Sequence, residues 1–326
     1  MHVVKDKNVN GVLPQLIQLF QNTEMVFEED SRNGAVRALQ GPLTIQYTKP
    51  WECVLLDPSR DANPFLHFFD ALYILSDRND VEFLSYFSKQ ISEYAENDGL
   101  LFGAYGYRMR KWFGLDQLQV CIDKLKANPK DRQAVIGLWS PAEDMVVPSK
   151  DHPCNMMVVP RVQPDGRLSL TVYNRSNDML WGATGANAVQ FSFLQQYIGM
   201  HLGRELGDYY QISNNPHVYL EFGPWKKLSS GTPYPDFYEF GFITNMAFGT
   251  DAAAWDRDLK KFMAIRADLD PKNFETEFFL GVVLPMWKSH MYYKDKCKSL
   301  ALGVAEHITA PDWKKAVFEW LYRRKS

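Results

Sequence analysis

Residues 151–219 constrain the fold more than any other stretch. The tetrapeptide Asp151-His152-Pro153-Cys154 sets a thiol directly before the apolar run Met156, Met157, Val158 and Val159, so Cys154 reads as lying at the mouth of a buried strand. Residues 168–173 alternate as a second strand and close on Asn174-Arg175-Ser176-Asn177-Asp178. A Gly-rich turn over 182–187 leads into 189–202, whose pattern is helical. The stretch ends on Ser213-Asn214-Asn215-Pro216-His217-Val218-Tyr219. One reactive thiol, an Arg-Ser pair, an Asp, an Asn and a His/Tyr pair form a set suited to handling a nucleotide.

The remaining chain is organised around that segment. Apolar residues at helical spacing (Val12, Leu16, Leu19, Phe20) predict a helix over 9–23, and Asp30-Ser31-Arg32-Asn33-Gly34 reads as a turn. Residues 39–47 read as a strand, 63–75 as a densely apolar helix with one carboxylate, Asp70, and 81–95 as a further helix. The stretch 103–110, punctuated by Gly103 and Gly106 and ending in Arg110, reads as a loop. An amphipathic helix over 115–127 is stopped by Pro129, and a strand over 134–139 follows Asp131-Arg132. After Phe222, residues 223–238 are rich in Gly, Pro and Ser, and 252–267, 274–291, 294–307 and 311–324 read as helices. Pro311 suits the first position of the last one. The division is a core over 1–222 and a mostly helical extension over 223–326 packed on it.

Composition narrows the function classes. The 326 residues suffice for one large domain or two modest ones, with a sizeable core. Lys+Arg number 36 against Asp+Glu 39, a net charge of −3, so no basic excess points to a polynucleotide partner. A bound phosphate would belong to one small ligand held by a few arginines. Cys53, Cys121, Cys154 and Cys297 lie far apart without CxxC spacing, which argues against disulfides and against a metal site. No signal pattern opens the chain and no apolar run is long enough to span a membrane, so a cytoplasmic location is expected.

In order along 12–222, the chain resembles the thymidylate synthase family, including its pyrimidine hydroxymethylase branch. The resemblance rests on Arg32 before Gly34, the Tyr105-Gly106 stretch ending in Arg110, and Arg132 after a Pro-terminated helix. Pro153-Cys154, Arg175-Ser176-x-Asp178, Asn187 and His217-x-Tyr219 complete it. Each piece alone is weak; the ordered set is specific. The resemblance implies an α/β (α+β) fold, with a large mixed β-sheet flanked by helices, and a symmetric homodimer. It also implies attack on C6 of a pyrimidine nucleoside monophosphate, with 5,10-methylenetetrahydrofolate as the one-carbon donor. No resemblance is evident in the C-terminal hundred residues.

The resemblance also implies roles. Cys154 is the nucleophile, against the plain alternative of an inert buried cysteine; Arg175 would lower its pKa and bind phosphate. Arg32, Arg175 and Ser176, with Arg132 from the partner subunit, form the phosphate set; otherwise the arginines are solvated surface charges. The family usually has two arginines where this chain has Arg132-Gln133, which removes one charge. His217 and Tyr219 would hold the sugar 3′-hydroxyl, or else be a satisfied histidine and a packed tyrosine. Tyr105 would assist proton removal from C5. Asp178 would accept from the pterin ring of the folate, or merely cap a turn. Asp70, one carbon shorter than the family glutamate, would order water near C4 and the exocyclic carbon and face the folate, or else be a structural carboxylate paired to a neighbour.

Asn187 bears on the base, because a carboxamide suits the N3–H and O4 of uracil and a carboxylate suits the amino group of cytosine. An apparent inserted residue in the 182–187 turn leaves Ala186 as the alternative against the base, with Asn187 then a helix cap. dUMP is favoured over dCMP or CMP on this residue alone. Three departures lean toward hydroxymethylation by water over reductive methylation. They are Asn155 where synthases usually carry histidine, Asp70 for glutamate, and a terminus Leu321-Tyr322-Arg323-Arg324-Lys325-Ser326 in place of a short apolar tail. Thymidylate synthesis remains the alternative reaction. A non-catalytic nucleotide- or RNA-binding protein on the same scaffold is the alternative class.

Overall fold

In the computed structural model, which describes residues 1–241, 247–264 and 269–324, two sheets are laid against helices. The strands are β1 His2–Asp6, β2 Val26–Ser31, β3 Gly34–Leu39, β4 Leu43–Tyr47, β5 Ile136–Gly137, β6 Asn155–Val162, β7 Leu168–Asn174, β8 Asn177–Asp178, β9 Leu206–Ser213 and β10 Pro216–Tyr219. The larger sheet runs β1-β4-β9-β7-β6-β5 and the smaller β2-β3-β10-β8. The large sheet is mixed: β1–β4 and β7–β9 pair parallel, β4–β9 and β6–β7 antiparallel. No helix among the described residues is long and apolar enough to cross a membrane.

Two helices bring the functional segments together. Helix Asn187–Leu202 is buried without a break from Asn187 to Gly199 and ends at Gly203 in the left-handed region (φ 60°). A helix apolar or buried all round belongs at the centre of a core, which is where this one lies. Helix Pro64–Leu75 starts on Asn63, whose Oδ1 accepts from the Phe65 and Leu66 amides (3.1 and 3.2 Å), with Pro64 pre-set for the first turn. Eleven of its twelve residues are buried; Asp70 is the exception.

The segments after residue 222 share this core. Trp313 meets Phe68 edge-on at 4.9 Å, Phe262 stacks on Phe69 at 5.7 Å, and Trp320 meets Phe65 at 5.6 Å. Each such contact adds about 0.5–1.5 kcal/mol beyond area burial. Tyr238 donates to the buried Asp312 across the same boundary (2.8 Å).

Several local expectations are corrected. The strand expected over 39–47 is two strands, parted where Gly41 (φ 93°) precedes Pro42. The helix expected over 81–95 breaks after Val81–Ser85 and resumes as the 3₁₀ turn Lys89–Tyr94. The loop expected over 103–110 is helical from Tyr105 to Trp112, because Gly106 lets the backbone lie against the carbonyls of Ile74 and Ser76. The strand over 134–139 is reduced to Ile136–Gly137, and the turn over 182–187 is part of a π-helical run, Met179–Ala186. The helix expected over 252–267 ends at Phe262, and its residues 265–267 lie outside the described residues, as do Lys325 and Ser326.

Candidate active site

Cys154 lies half-buried one residue before β6, and its surroundings are built by three segments. From the turn after β7, the Arg175 guanidinium reaches the Cys154 Sγ at 3.8 Å. It is held in place by donating to the carbonyls of Pro153 (3.0 Å) and His152 (3.2 Å) and lies over the Trp139 ring at 5.6 Å. From the Tyr105–Trp112 segment, the Tyr105 hydroxyl approaches the Asn155 amide at 3.5 Å. That segment is anchored by Arg108, fully buried, which pairs with Asp144 (2.7 and 2.8 Å). Arg110 anchors it too, donating to the Leu75 carbonyl (2.8 Å). Burial pushes the Cys154 thiol up, with Arg175 and Arg32 pulling it back down and Asp151 opposing them. Burial likewise raises Tyr105, and the neighbouring Cys154 adds to that shift.

Behind the thiol is a chain of buried amides. Asn155, fully buried, donates to Asn187 Oδ1 at 3.3 Å, and Asn187 Nδ2 donates to Asn177 Oδ1 at 3.1 Å. Asn177 passes the chain to Gln211 (3.0 Å) and Ser213 (3.1 Å) on β9. Gly182 is required beside it: a Cβ there would strike Asn177 Oδ1 and approach Asn187 Nδ2 at 3.1 Å. The amide of Asn187 is therefore oriented from both ends, while Ala186 ends the π-turn half-buried. Asp70 is half-buried on helix Pro64–Leu75 and is reached from the Asn187–Leu202 helix by Gln190. Burial raises its carboxyl to about 7, opposed by the Gln190 amide, which donates to it at 2.8 Å, and reinforced by the charge of Asp151.

The arginines and the His217/Tyr219 pair divide. Arg32, in the exposed β2–β3 hairpin, donates to the Lys150 carbonyl (2.9 Å) and is near enough to lower Cys154. Ser176 follows Arg175 half-buried in the β7–β8 turn. Arg132 is exposed in the loop before β5, and among the described residues it makes no hydrogen bond or ion pair. His217 and Tyr219 stand edge-to-face on β10 at 5.2 Å, with Asn33 of the hairpin donating to the Tyr219 hydroxyl at 3.5 Å.

Asp178 sits opposite His217 in the β8–β10 pairing and caps the π-turn, its Oδ1 accepting from the Leu180 (2.7 Å) and Trp181 (3.0 Å) amides. The capping alternative is thus realised, but through one oxygen only. Burial raises the Asp178 carboxyl, while His217 and Arg60 favour its charge. Arg60 is 3% exposed, bonds the Leu180 carbonyl at 2.8 Å, and lies between Trp181 (5.4 Å) and Phe222 (5.2 Å). Its Nη2 is buried with no partner. A wall of half-exposed indole beside the Asp178 carboxyl and a guanidinium nitrogen unpaired among the described residues fits a flat, hydrogen-bonding heterocycle. No group of three or more His, Cys, Asp or Glu that could hold a metal exists among the described residues.

Comparison with known proteins places this geometry. Residues 67–230 match the family model described as thymidylate synthase. A deoxyuridylate hydroxymethyltransferase of Pseudomonas phage M6 is 39% identical over 340 aligned positions, covering 100% of this chain and 95% of that protein. The chain belongs to the thymidylate synthase family. A second protein of the same description, from Bacillus phage SP01, is 38% identical over 55% of this chain and 50% of its own length. The thermostable thymidylate synthase A of Bacillus subtilis superposes with a TM-score of 0.56 at 23% identity, covering 70% of this chain and 86% of that one, and shares the fold. Like the rest of the family, the chain is a transferase of one-carbon groups.

The sequence alone attaches no role to Arg60, Asn177, Gln190 or Asp151, which the fold brings beside the residues above. Asp151 was visible in the tetrapeptide before Cys154 without a role attached. The other three are single polar residues inside apolar runs or turns, and only the fold shows that they converge.

Proposed function

We propose that the chain is a folate-dependent hydroxymethyltransferase of a pyrimidine nucleoside monophosphate, with dUMP as substrate. The observation that carries this reading is the amide chain Asn155–Asn187–Asn177 directly behind Cys154. It offers the base a neutral donor and acceptor of fixed orientation, which suits uracil. It also puts a buried carboxamide at 155, where a synthase would usually carry histidine. Similarity to proteins named deoxyuridylate hydroxymethyltransferase supports the same reading.

In the mechanism, Arg175 and Arg32 bring positive charge to Cys154, offsetting its burial, and the thiolate adds to C6. Both arginines and Ser176 are placed to bind the phosphate, which would turn Arg175 toward a dianion while keeping it beside the thiol. His217 and Tyr219 hold the sugar. C5, made nucleophilic, takes up one carbon; 5,10-methylenetetrahydrofolate supplies it. Trp181, Asp178 and Arg60 would hold that co-substrate. Tyr105 would assist at the C5 proton, and Asp70, whose carboxyl burial raises to about 7, would donate to the pyrimidine carbonyl in its protonated form. Water then completes the hydroxymethyl group.

Arg132 is proposed to reach the phosphate of a second subunit. Supporting this, the face of the large sheet away from the Asn187–Leu202 helix carries rows that are not buried, Met157–Tyr173–Ile212–Thr44 and Val159–Thr171–Tyr210–Gln46. A half-exposed sheet face of mixed aliphatic, Thr, Gln and Tyr side chains, uncovered among the described residues, suits an isologous dimer. The test is mass spectrometry of products from dUMP, dCMP and CMP with methylenetetrahydrofolate. Gain of one CH2O unit on dUMP alone is expected. Gain of a methyl group would make the enzyme a thymidylate synthase, and no product from any substrate would leave a binding protein.

A further inference from the structure

The reaction proposed above needs a seat for the attacking water, and three polar groups off the nucleophile's own strand converge to make one. Gln190, on the buried helix Asn187–Leu202, is 5% exposed; its Nε2 donates to Asp70 Oδ2 at 2.8 Å, and its Oε1 is buried with no partner among the described residues. A buried acceptor left open beside a carboxylate calls for a donor, and a water molecule supplies one. Asp151 comes from the segment that carries the thiol, three residues before Cys154. Its Oδ2 accepts from the amide of Gly103, two residues before Tyr105, at 2.8 Å, and Gly103 has no room for a side chain because a Cβ would strike the Asp151 carbonyl. The Asp151 charge also acts on Asp70.

We propose that Gln190 and Asp70 seat the water that attacks the exocyclic methylene and that Asp151 takes its proton. This rests on the hydroxymethyltransferase reading. In the step, a water lone pair forms the O–CH2 bond and the water proton passes to the Asp151 carboxylate. The methylene π pair moves onto C5 and O4; its return rebuilds the C5–C6 double bond and expels the Cys154 thiolate. No oxidant or reductant is consumed. Asp151 suits the base role better than Asp70. Burial raises it only to about 6, with the Gly103 amide, Arg108 and Arg32 favouring its charge and Glu96 opposing, whereas Asp70 stands at about 7. Of the two carboxyls, Asp151 is therefore the one raised less by its surroundings and the first to ionise as pH rises.

The experiment follows tritium release from [5-3H]dUMP and hydroxymethyl product in the same reactions of the full-length wild type, D151N and Q190M. Asn at 151 keeps an acceptor for the Gly103 amide, and nucleotide binding by calorimetry reports whether each variant folds. D151N is expected to release tritium in a single turnover while product formation falls by about a hundredfold or more. Cys154 would then be found carrying nucleotide plus one carbon by intact-protein mass. Q190M should show the same split, more weakly, and D151E should recover part of the product rate. Tritium and product falling in parallel in D151N, or product unchanged, overturns the assignment while leaving the enzyme a hydroxymethyltransferase. A wild type that releases a methylated product overturns the functional reading, and this inference with it.

Discussion

Replacing Asn187 with Asp tests the base-reading amide and its support at once. Asn187 Nδ2 donates to Asn177 Oδ1 at 3.1 Å, and the donors of Asn177 are already committed to Gln211 and Ser213. A carboxylate at 187 would set oxygen against oxygen and leave Asn177 Oδ1 buried without a donor. The cost is about 1–3 kcal/mol, or a fall in Tm of about 1.5–4 °C for a chain of this size. Burial raises the pKa of the new carboxyl, so its protonated form, which still has a donor, is favoured in the folded state. That stability is fully present below the ordinary carboxylate range and is lost as pH rises through the raised value. The Tm deficit of N187D should therefore be small near pH 4 and grow toward pH 8. On activity, the variant exchanges a donor that suits O4 of uracil for an acceptor that suits the amino group of cytosine. A shift in the kcat/KM ratio from dUMP toward dCMP of about a hundredfold is expected, read by competing the two nucleotides and separating products. An unchanged ratio with the predicted loss of Tm would refute the reasoning: Asn187 would then be purely structural, and Ala186 would be the residue at the base.

Three further outcomes are expected. Gly182→Ala should destabilise the protein by about 1–3 kcal/mol and lower kcat for dUMP, since the added methyl displaces Asn177 and crowds Asn187; a silent variant in thermal melts would remove the amide chain from the argument. Asp70 has a folded-state pKa of about 7, above its usual 3.8, because of burial, so wild-type stability falls as pH rises between those values. D70N lacks that fall, and the Tm difference between variant and wild type should therefore increase from pH 4 to pH 7.5; a constant difference would show Asp70 to be solvated. Cys154→Ser and Arg132→Ala should each be inactive alone, yet mixed and reassorted dimers should recover about a quarter of wild-type activity, because one site in each hybrid keeps both groups. Absence of recovery, with hybrids demonstrated by native mass spectrometry, would place Arg132 outside the partner's site.

What could be read from the sequence followed apolar periodicity. Helix 63–75, strand 168–174 and the thiol before strand 155–162 were legible because apolar residues repeat there at the spacing of the element. Strand β9 was not. Its buried face is Gly207, Tyr209, Gln211 and Ser213, while Leu206 and Ile212 lie on the half-exposed side. Read by polarity, that alternation is inverted. The inversion has a physical cause: Gln211 and Ser213 are buried because they satisfy Asn177, which holds Asn187. A buried polar chain is tolerable only when every member finds a partner, so the site imposes its own residues on a strand some distance from any ligand. The same logic hid Gln190 inside an apolar helix and Gly106 inside what looked like a loop. Some of the positions where pattern reading failed are thus those that orient Asn187, Asp70 and Tyr105, and a pattern broken by a partnered amide is a pointer to the site. On that argument the open Oε1 of Gln190, the member of this set whose acceptor lacks a protein partner, is where water should be looked for first.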